Sequence, residues 1–311
     1  MPQQLTRQIM MVRPAAFQYN PVTAQNNAFQ DARIQEEPLS RVQQEALQEF
    51  DHMVALLRQN GVEVMVVEDS PRPPKPDAVF PNNWVSFHED GRVFLYPMYA
   101  PNRRPERRLE VVEALKGRFA IREILDLSLY EAEEKFLEST GSLIFDRQEG
   151  YVYACFSPRT HPALLAEIGQ KLGYQAIGFK AADARGQEIY HTNVMMSLAD
   201  TFAVICLEAI PDETEREVVV KTLTQTHKEI VPISLAQMNA FAGNMLTVQG
   251  HSGEKLLVLS QQAYESLDEH QVIRLSAHAR LLPIPLYTIE RSGGGSARCM
   301  MAEIFLPELT H

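Results

Sequence analysis

The sequence predicts an α/β protein assembled from repeated units, and three observations lead there. The order strand, strand, helix, strand recurs four or five times, with apolar residues at helical spacing in the helices and short apolar runs in the strands. No low-complexity stretch or linker interrupts the order. The 311 residues, 45% of them hydrophobic, can bury a sizeable core, which excludes global disorder. The repeats share no sequence motif, so the order of elements carries the argument, and one domain over residues 1–311 is the simplest account.

Taken in order, QIMMVRP (8–14) predicts a strand, and the polar, Pro- and Asn-bearing segment 15–38 a loop able to cover a site. Val42, Ala46, Phe50, Met53, Val54 and Leu57 then recur at helical spacing, with Ser40 as the candidate N-cap and Gly61 as the stop. VEVMVVED (62–69) reads as a strand and PRPPKPD (71–77) as a stiff loop, since consecutive prolines continue neither element. Two strands flank the turn HEDGR within 79–97. A helix over 105–118 follows, with Pro105 in its first turn.

The order then repeats. Residues 142–157 form a hairpin turning near Glu149 and Gly150, 161–173 a helix and 174–179 a strand. HTNVMMSL (191–198) and TFAVICLE (201–208) are strands, 212–226 a helix with acidic residues in its first turn, and 229–233 a strand. Strands at 244–250 and 255–260, a short helix at 261–267 and a strand over LLPIPLYTI (281–289) complete the pattern.

Lys plus Arg number 29 and Asp plus Glu 40, a net charge of −11. That balance disfavours a nucleic-acid surface and docking on anionic lipid. The three cysteines, Cys155, Cys206 and Cys299, offer no CxxC pair and no disulfide framework. MPQQLTRQIMMVRPA lacks the apolar run and cleavage site of a secretion signal, and no stretch approaches the ~18 apolar residues of a membrane span. A soluble, cytoplasmic protein is expected.

RSGGGSARCMM (291–301) is the most informative segment. Three consecutive glycines weaken any regular element, and make sense where backbone approaches a ligand or takes positive φ. Cys299 follows, beside Arg298, and a neighbouring positive charge favours the nucleophilic thiolate; a buried cysteine after a glycine loop is the alternative. A cysteine nucleophile needs a proton shuttle, and His191, followed by Thr192 and Asn193, is the candidate. Glu138, in FLESTGSLIF, could orient that histidine or serve only as a loop acid. PDAVFPNNWVSF sets Asp77, Asn82 and Asn83 around the only tryptophan, Trp84. Arg103, with Arg104 in APNRRPERR, and Arg159 in SPRT could clamp a carboxylate or simply face solvent. No metal-ligand spacing, GxGxxG or Walker A loop occurs, so neither metal nor organic cofactor is expected.

Together PDAVFPNNW, NRR, FLESTG, SPRT, YHTN, FAGNML and RSGGGSARCM resemble the amidinotransferase, or guanidino-group-modifying, superfamily, across about residues 9–305. The citrulline-utilisation hydrolases, a citrullinase group related to arginine deiminase, are the closest resemblance. It implies the pentein fold: an α/β propeller of five ββαβ modules about a pseudo-fivefold axis, with the site in the central channel. It further implies Cys299 as nucleophile, His191 as acid and base, Glu138 as the acidic partner, Arg103 and Arg159 as carboxylate clamps and Asp77 as a ligand of substrate nitrogens.

The departures bear on the substrate. Asn82 and Asn83 stand where dimethylarginine enzymes carry an acidic pair, Ser139-Thr140-Gly141 replaces a run ending in Asp, and Asn193 stands where arginine deiminases have Asp. A buried guanidinium needs carboxylates, whereas a neutral ureido group is served by amides that both donate and accept. The expectation is therefore hydrolysis of citrulline or a close analogue to ornithine, carbon dioxide and ammonia through a covalent cysteine intermediate, with backbone amides of Gly293–Gly295 as oxyanion donors. Arginine or methylarginine deimination, amidino transfer and a non-enzymatic pentein binding module are the alternatives. A small-molecule amino-acid substrate is the expected partner, with homo-oligomerisation left open.

Overall fold

The computed structural model describes residues 2–309. Five three-stranded sheets carry the repeat. Their strands in chain order are β1 (Gln8–Arg13), β2 (Glu63–Glu68), β3 (Val85–Phe87), β4 (Arg92–Leu95), β5 (Glu123–Asp126), β6 (Ile144–Asp146), β7 (Tyr151–Phe156), β8 (Gln175–Lys180), β9 (Met196–Leu198), β10 (Phe202–Ile205), β11 (Glu229–Pro232), β12 (Leu246–Gln249), β13 (Lys255–Ser260), β14 (Arg280–Ile284) and β15 (Ala302–Glu303). The sheets are β15-β1-β2, β3-β4-β5, β6-β7-β8, β9-β10-β11 and β12-β13-β14. In each, the middle strand pairs antiparallel with the first and parallel with the third.

A parallel pair needs a crossover, and helices supply it. The crossovers contain α1 (Leu39–Gln59), α2 (Leu109–Leu115), α4 (Pro162–Leu172), α6 (Glu213–Gln225) and the pair α8 (Gln261–Ser266) and α9 (Glu269–Ser276). Four further helices lie outside this scheme: α3 (Ser139–Ser142), α5 (Thr192–Met195), α7 (Leu235–Asn239) and α10 (Tyr287–Gly293). This is the expected ring of five ββαβ modules. The first module is made from both halves of the chain, because β15 returns to pair with β1, Ile9 opposite Glu303 and Met10 opposite Ala302.

The six apolar residues that predicted α1 are its six buried ones. They pack with Val64, Val258, Leu282 and Ile284 of flanking strands. Full burial of such a side chain stabilises by roughly 1.5–3 kcal/mol, so the helix is held by its stripe.

Several local expectations need correction. Ser40 is not the N-cap of α1: Pro38, at φ −58° and ψ 128°, stands just outside the helix, and the helix begins at Leu39. Pro105 does not open a helix over 105–118. It lies inside a 3-10 turn, Pro101–Glu106, where Arg103 folds back onto Glu106, and α2 starts only at Leu109. The strand expected over 281–289 stops at Ile284, opposite Ser260, where its partner β13 ends. Tyr287 then starts α10, whose Thr288 and Ile289 amides donate to the Glu49 carboxylate at 2.8 and 2.9 Å. His191 does not open a strand but precedes the single turn α5, and β9 begins at Met196. The sequence reading also passed over β5, β15, α7 and α9.

Candidate active site

The first strand of every module is reached through one tight turn. Pro81–Asn83 precedes β3, α3 precedes β6, α5 precedes β9, Phe241–Asn244 precedes β12 and Ala297–Met300 precedes β15. The candidate residues recur at this position: Asn82 and Asn83, Glu138, His191 and Asn193, Asn244, and Cys299. The turns close into a ring around the axis. Thr140 Oγ1 donates to the Asn82 carbonyl at 3.2 Å, Asn244 Nδ2 donates to the Asn193 carbonyl at 2.9 Å, and the Arg298 amide donates to Asn244 Oδ1 at 3.0 Å.

Glu138 Oε2 lies 2.7 Å from His191 Nε2, and Glu138 Oε1 accepts the Tyr99 amide at 3.0 Å. Burial raises the Glu138 carboxyl, but Arg159, His191 and Arg103 together outweigh it and hold it below the ordinary carboxylate range. Burial lowers the His191 imidazole, and Glu138 offsets that only in part. The pair is thus a carboxylate and a neutral imidazole, with the proton on Nε2 and the lone pair on Nδ1. Gly141 permits this contact, because a Cβ there would stand 2.5 Å from Asn83 Nδ2 and 2.8 Å from His191 Nδ1.

The Cys299 sulfur accepts from Asn193 Nδ2 at 3.3 Å and Asn244 Nδ2 at 3.2 Å. Arg298 does not supply the positive charge expected beside the thiol. Its Nη1 donates to the Met301 carbonyl and its Nη2 to Glu303, both at 2.8 Å, so the guanidinium serves β15 instead. Nor is the Gly294 amide free for an oxyanion. Gly293 is the last residue of α10, Gly294 caps it at φ +63°, and its N–H closes on the Glu290 carbonyl at 2.9 Å. The two asparagine amides are the donors at the sulfur. Cys155 and Cys206 are buried packing residues, and burial pushes their thiols up to about 12 and about 11.

Arg103, Arg159 and Asp77 join the same cluster. Arg103 grips Glu106 through Nε and Nη2 at 2.9 and 2.8 Å, and Asn83 Oδ1 through Nη1 at 2.9 Å. Its Nε lies 3.6 Å from Asp77. Arg159 stands 3.5 Å from Glu138 and donates to Asn26 Oδ1 and to the Thr23 carbonyl, at 3.0 Å from Nε and 3.1 Å from Nη2. Asp77 Oδ2 accepts from Asn20 Nδ2 at 2.7 Å and Thr23 Oγ1 at 3.2 Å, while Oδ1 has no partner.

Segment 15–38 therefore lies over the cluster as a strap, in two 3-10 turns at Thr23–Gln25 and Ala32–Glu36. Gln30 ties it to the Ser292 carbonyl at 2.9 Å, and the Asp31 amide to the Arg291 carbonyl at 2.8 Å. Under the strap Cys299 is 2% exposed, His191 1% and Glu138 0%. Sequence reasoning missed Asn20, Thr23, Asn26, Glu106 and Asn244. Asn244 had a signal, its place in FAGNML; the strap residues had none, since their role comes from contacts made across the fold. Among the described residues no three His, Cys, Asp or Glu side chains group as a metal site, and no helix is long and apolar enough to cross a membrane.

A five-module ring with a cysteine, a histidine and a carboxylate at its centre defines the pentein class of guanidino-modifying proteins. The chain belongs to the family described as N,N dimethylarginine dimethylhydrolase, eukaryotic, whose profile matches residues 13–306. No curated protein matches the chain significantly. Among solved structures, ArgZ, an arginine dihydrolase from the ornithine-ammonia cycle in cyanobacteria, superposes with a TM-score of 0.76 at 17% identity over 97% of this chain. This chain spans 41% of the length of ArgZ. AgrE in binary complex with L-arginine gives 0.75 at 18% identity, covering 96% of this chain and 40% of AgrE. The dimethylarginine enzyme of Pseudomonas aeruginosa, complexed with citrulline, gives 0.64 at 13% identity, over 96% of this chain and 99% of its own. At these identities the likeness is one of fold.

Proposed function

We propose that this protein hydrolyses the ureido group of L-citrulline or a close analogue. The observation that carries the reading is the pair of neutral amides, Asn193 and Asn244, that donate to the Cys299 sulfur. Three buried carboxylates, Asp77, Glu106 and Glu138, face two buried guanidiniums, Arg103 and Arg159. Burial raises the Glu106 and Asp77 carboxyls, and Arg103 pulls both back down. These five groups are already paired with one another and with the strap. Zwitterionic citrulline adds no net charge. Arginine adds one positive charge, the polar partners of the sulfur offer it no carboxylate, and an unpaired buried charge costs several kcal/mol. The groups at the sulfur are amides, which suit a neutral carbonyl and amine.

The reaction runs in two steps. Cys299 passes its proton to neutral His191 and its sulfur attacks the ureido carbon, while the amides of Asn193 and Asn244 hold the developing negative charge. The carbon–nitrogen bond to the ornithine side chain breaks, and imidazolium, stabilised by Glu138, returns the proton to the departing amine. Water, activated by His191, then cleaves the carbamoyl thioester. Carbamate leaves and decomposes to carbon dioxide and ammonia, and the thiol is restored. The strap must yield for substrate to reach the sulfur. Its partners Arg159 and Asp77 are then free for the substrate's carboxylate and ammonium groups.

A guanidino substrate is the second reading, favoured by the family match and by the ionised Glu138. The test is ammonia release and amino-acid analysis with L-citrulline, L-arginine and dimethylarginine. Ornithine from citrulline is expected, with Cys299→Ala lowering turnover about 10,000-fold or more. Citrulline as the product of arginine or dimethylarginine, with no ornithine from citrulline, would overturn the ureido reading.

A further inference from the structure

Behind the nucleophile lies a buried carboxyl with no role in the chemistry above. Glu290, in α10, is 1% exposed. Its Oε1 accepts the Ser296 hydroxyl at 2.6 Å, and its Oε2 is buried near Ser260 with no well-formed hydrogen bond among the described residues. Its carbonyl accepts the Gly294 amide at 2.9 Å, and the Ser296 carbonyl accepts the Cys299 amide at 3.0 Å. Glu290 thus grips the glycine turn at two points, and the second leads directly to the nucleophile. Among the described residues no lysine or arginine pairs with it. The groups around it are Ser260, Ser296 and Glu49, the last a second carboxyl whose oxygens accept the Thr288 and Ile289 amides in the first turn of α10. Arg291, next along the helix, turns to Glu37 at 3.1 Å.

We propose that Glu290 is a positioning residue, whose protonated carboxyl anchors Ser296 and so sets the turn that presents the Cys299 sulfur to Asn193 and Asn244. The proposal rests on Cys299 as the nucleophile. Burial beside a second carboxyl and no cation favours the protonated form, and pushes Glu290 up to about 7. Ionisation puts an unpaired charge inside the turn, so the nucleophile is best held below that pH and loosened above it. Burial raises Glu106 too, beside Arg103, and a substitution at Glu290 separates the two.

The experiment follows turnover of the best substrate, and the rate of Cys299 alkylation by iodoacetamide, from pH 5.5 to about 9. Three forms are compared: wild type, Glu290→Gln and Glu290→Ala. Glutamine keeps the acceptor for Ser296 and cannot ionise. It should hold kcat within about threefold of wild type at pH 6 and flatten the fall that wild type shows with a midpoint near 7. Alanine should lower kcat by about 100-fold at every pH with little change in KM, as expected when a distant change misplaces a reacting atom. Ser296→Ala should reproduce the loss without a titration of its own.

A Glu290→Gln profile that keeps the wild-type alkaline fall overturns the pH-dependent anchor. Wild-type kcat in both Glu290→Ala and Ser296→Ala overturns the positioning role. Alkylation needs no substrate, so the alanine variants should slow it even if citrulline proves not to be turned over. That result separates failure of the substrate reading from failure of this one. If Glu290→Ala does not fold, the glutamine profile and Ser296→Ala still decide the matter.

Discussion

At the scale of single residues, the thiol's hydrogen-bond donors are two neutral amides, and the adjacent Arg298 turns away from it. Cys299 takes hydrogen bonds from amides that belong to two other modules. Removing one such donor typically costs 10²–10³ in kcat. Asn244→Ala should therefore lower kcat by about 100-fold with a smaller change in KM, measured by steady-state kinetics on whichever substrate is turned over. An unchanged kcat would mean the amide only packs. Cys299, His191, Glu138 and Asn193 were legible in the sequence because each sits beside glycine or short polar residues at the edge of an apolar run. Arg298 misled for a physical reason. Adjacent residues in a 3-10 turn point their side chains in different directions, so closeness along the chain did not become closeness in space.

At the scale of elements, the one-turn helices α3 and α5 are set by their neighbours rather than by their own sequences. They are too short for propensity to fix them, and their backbones are held by neighbouring modules. Ser139 Oγ donates to the Val85 carbonyl at 2.8 Å, and Thr192 Oγ1 to the Ser142 carbonyl at 2.6 Å. That dependence is why the sequence reading made His191 part of a strand, while α1, with a full apolar stripe, was legible. Gly141→Ala tests the closeness of the packing. The added methyl would meet Asn83 Nδ2 at 2.5 Å and His191 Nδ1 at 2.8 Å. Overpacking of this kind costs ~1–3 kcal/mol. The variant should lose about that much in denaturant unfolding and about 100-fold in kcat, since the histidine must shift. Wild-type kinetics would mean that His191 has room to spare.

At the scale of the molecule, the modules share polar as well as apolar glue. Lys228, which leads into β11, reaches across to Asp146 of β6 at 3.3 Å, and both side chains are buried. Removing one partner from a buried pair typically costs 3–5 kcal/mol, whereas a well-packed apolar pair in its place is often neutral or stabilising. Lys228→Met alone should thus destabilise by ~3 kcal/mol or more in urea, and the double variant with Asp146→Leu should recover most of that loss. A double variant as weak as the single would show that the charge pair itself holds the third and fourth modules together. The repeated order of elements made the ring legible, but not its closure. β15 is two residues long and carries no pattern of its own, and only β1 defines it. That closure has a consequence for synthesis on the ribosome. Four modules are complete in sequence once Ile284 has been translated, yet the first still lacks a strand, and Cys299 and β15 emerge together afterwards. The nascent chain therefore gains Cys299 only as the ring shuts, so an unfinished copy carries Glu138 and His191 without the sulfur that completes their cluster.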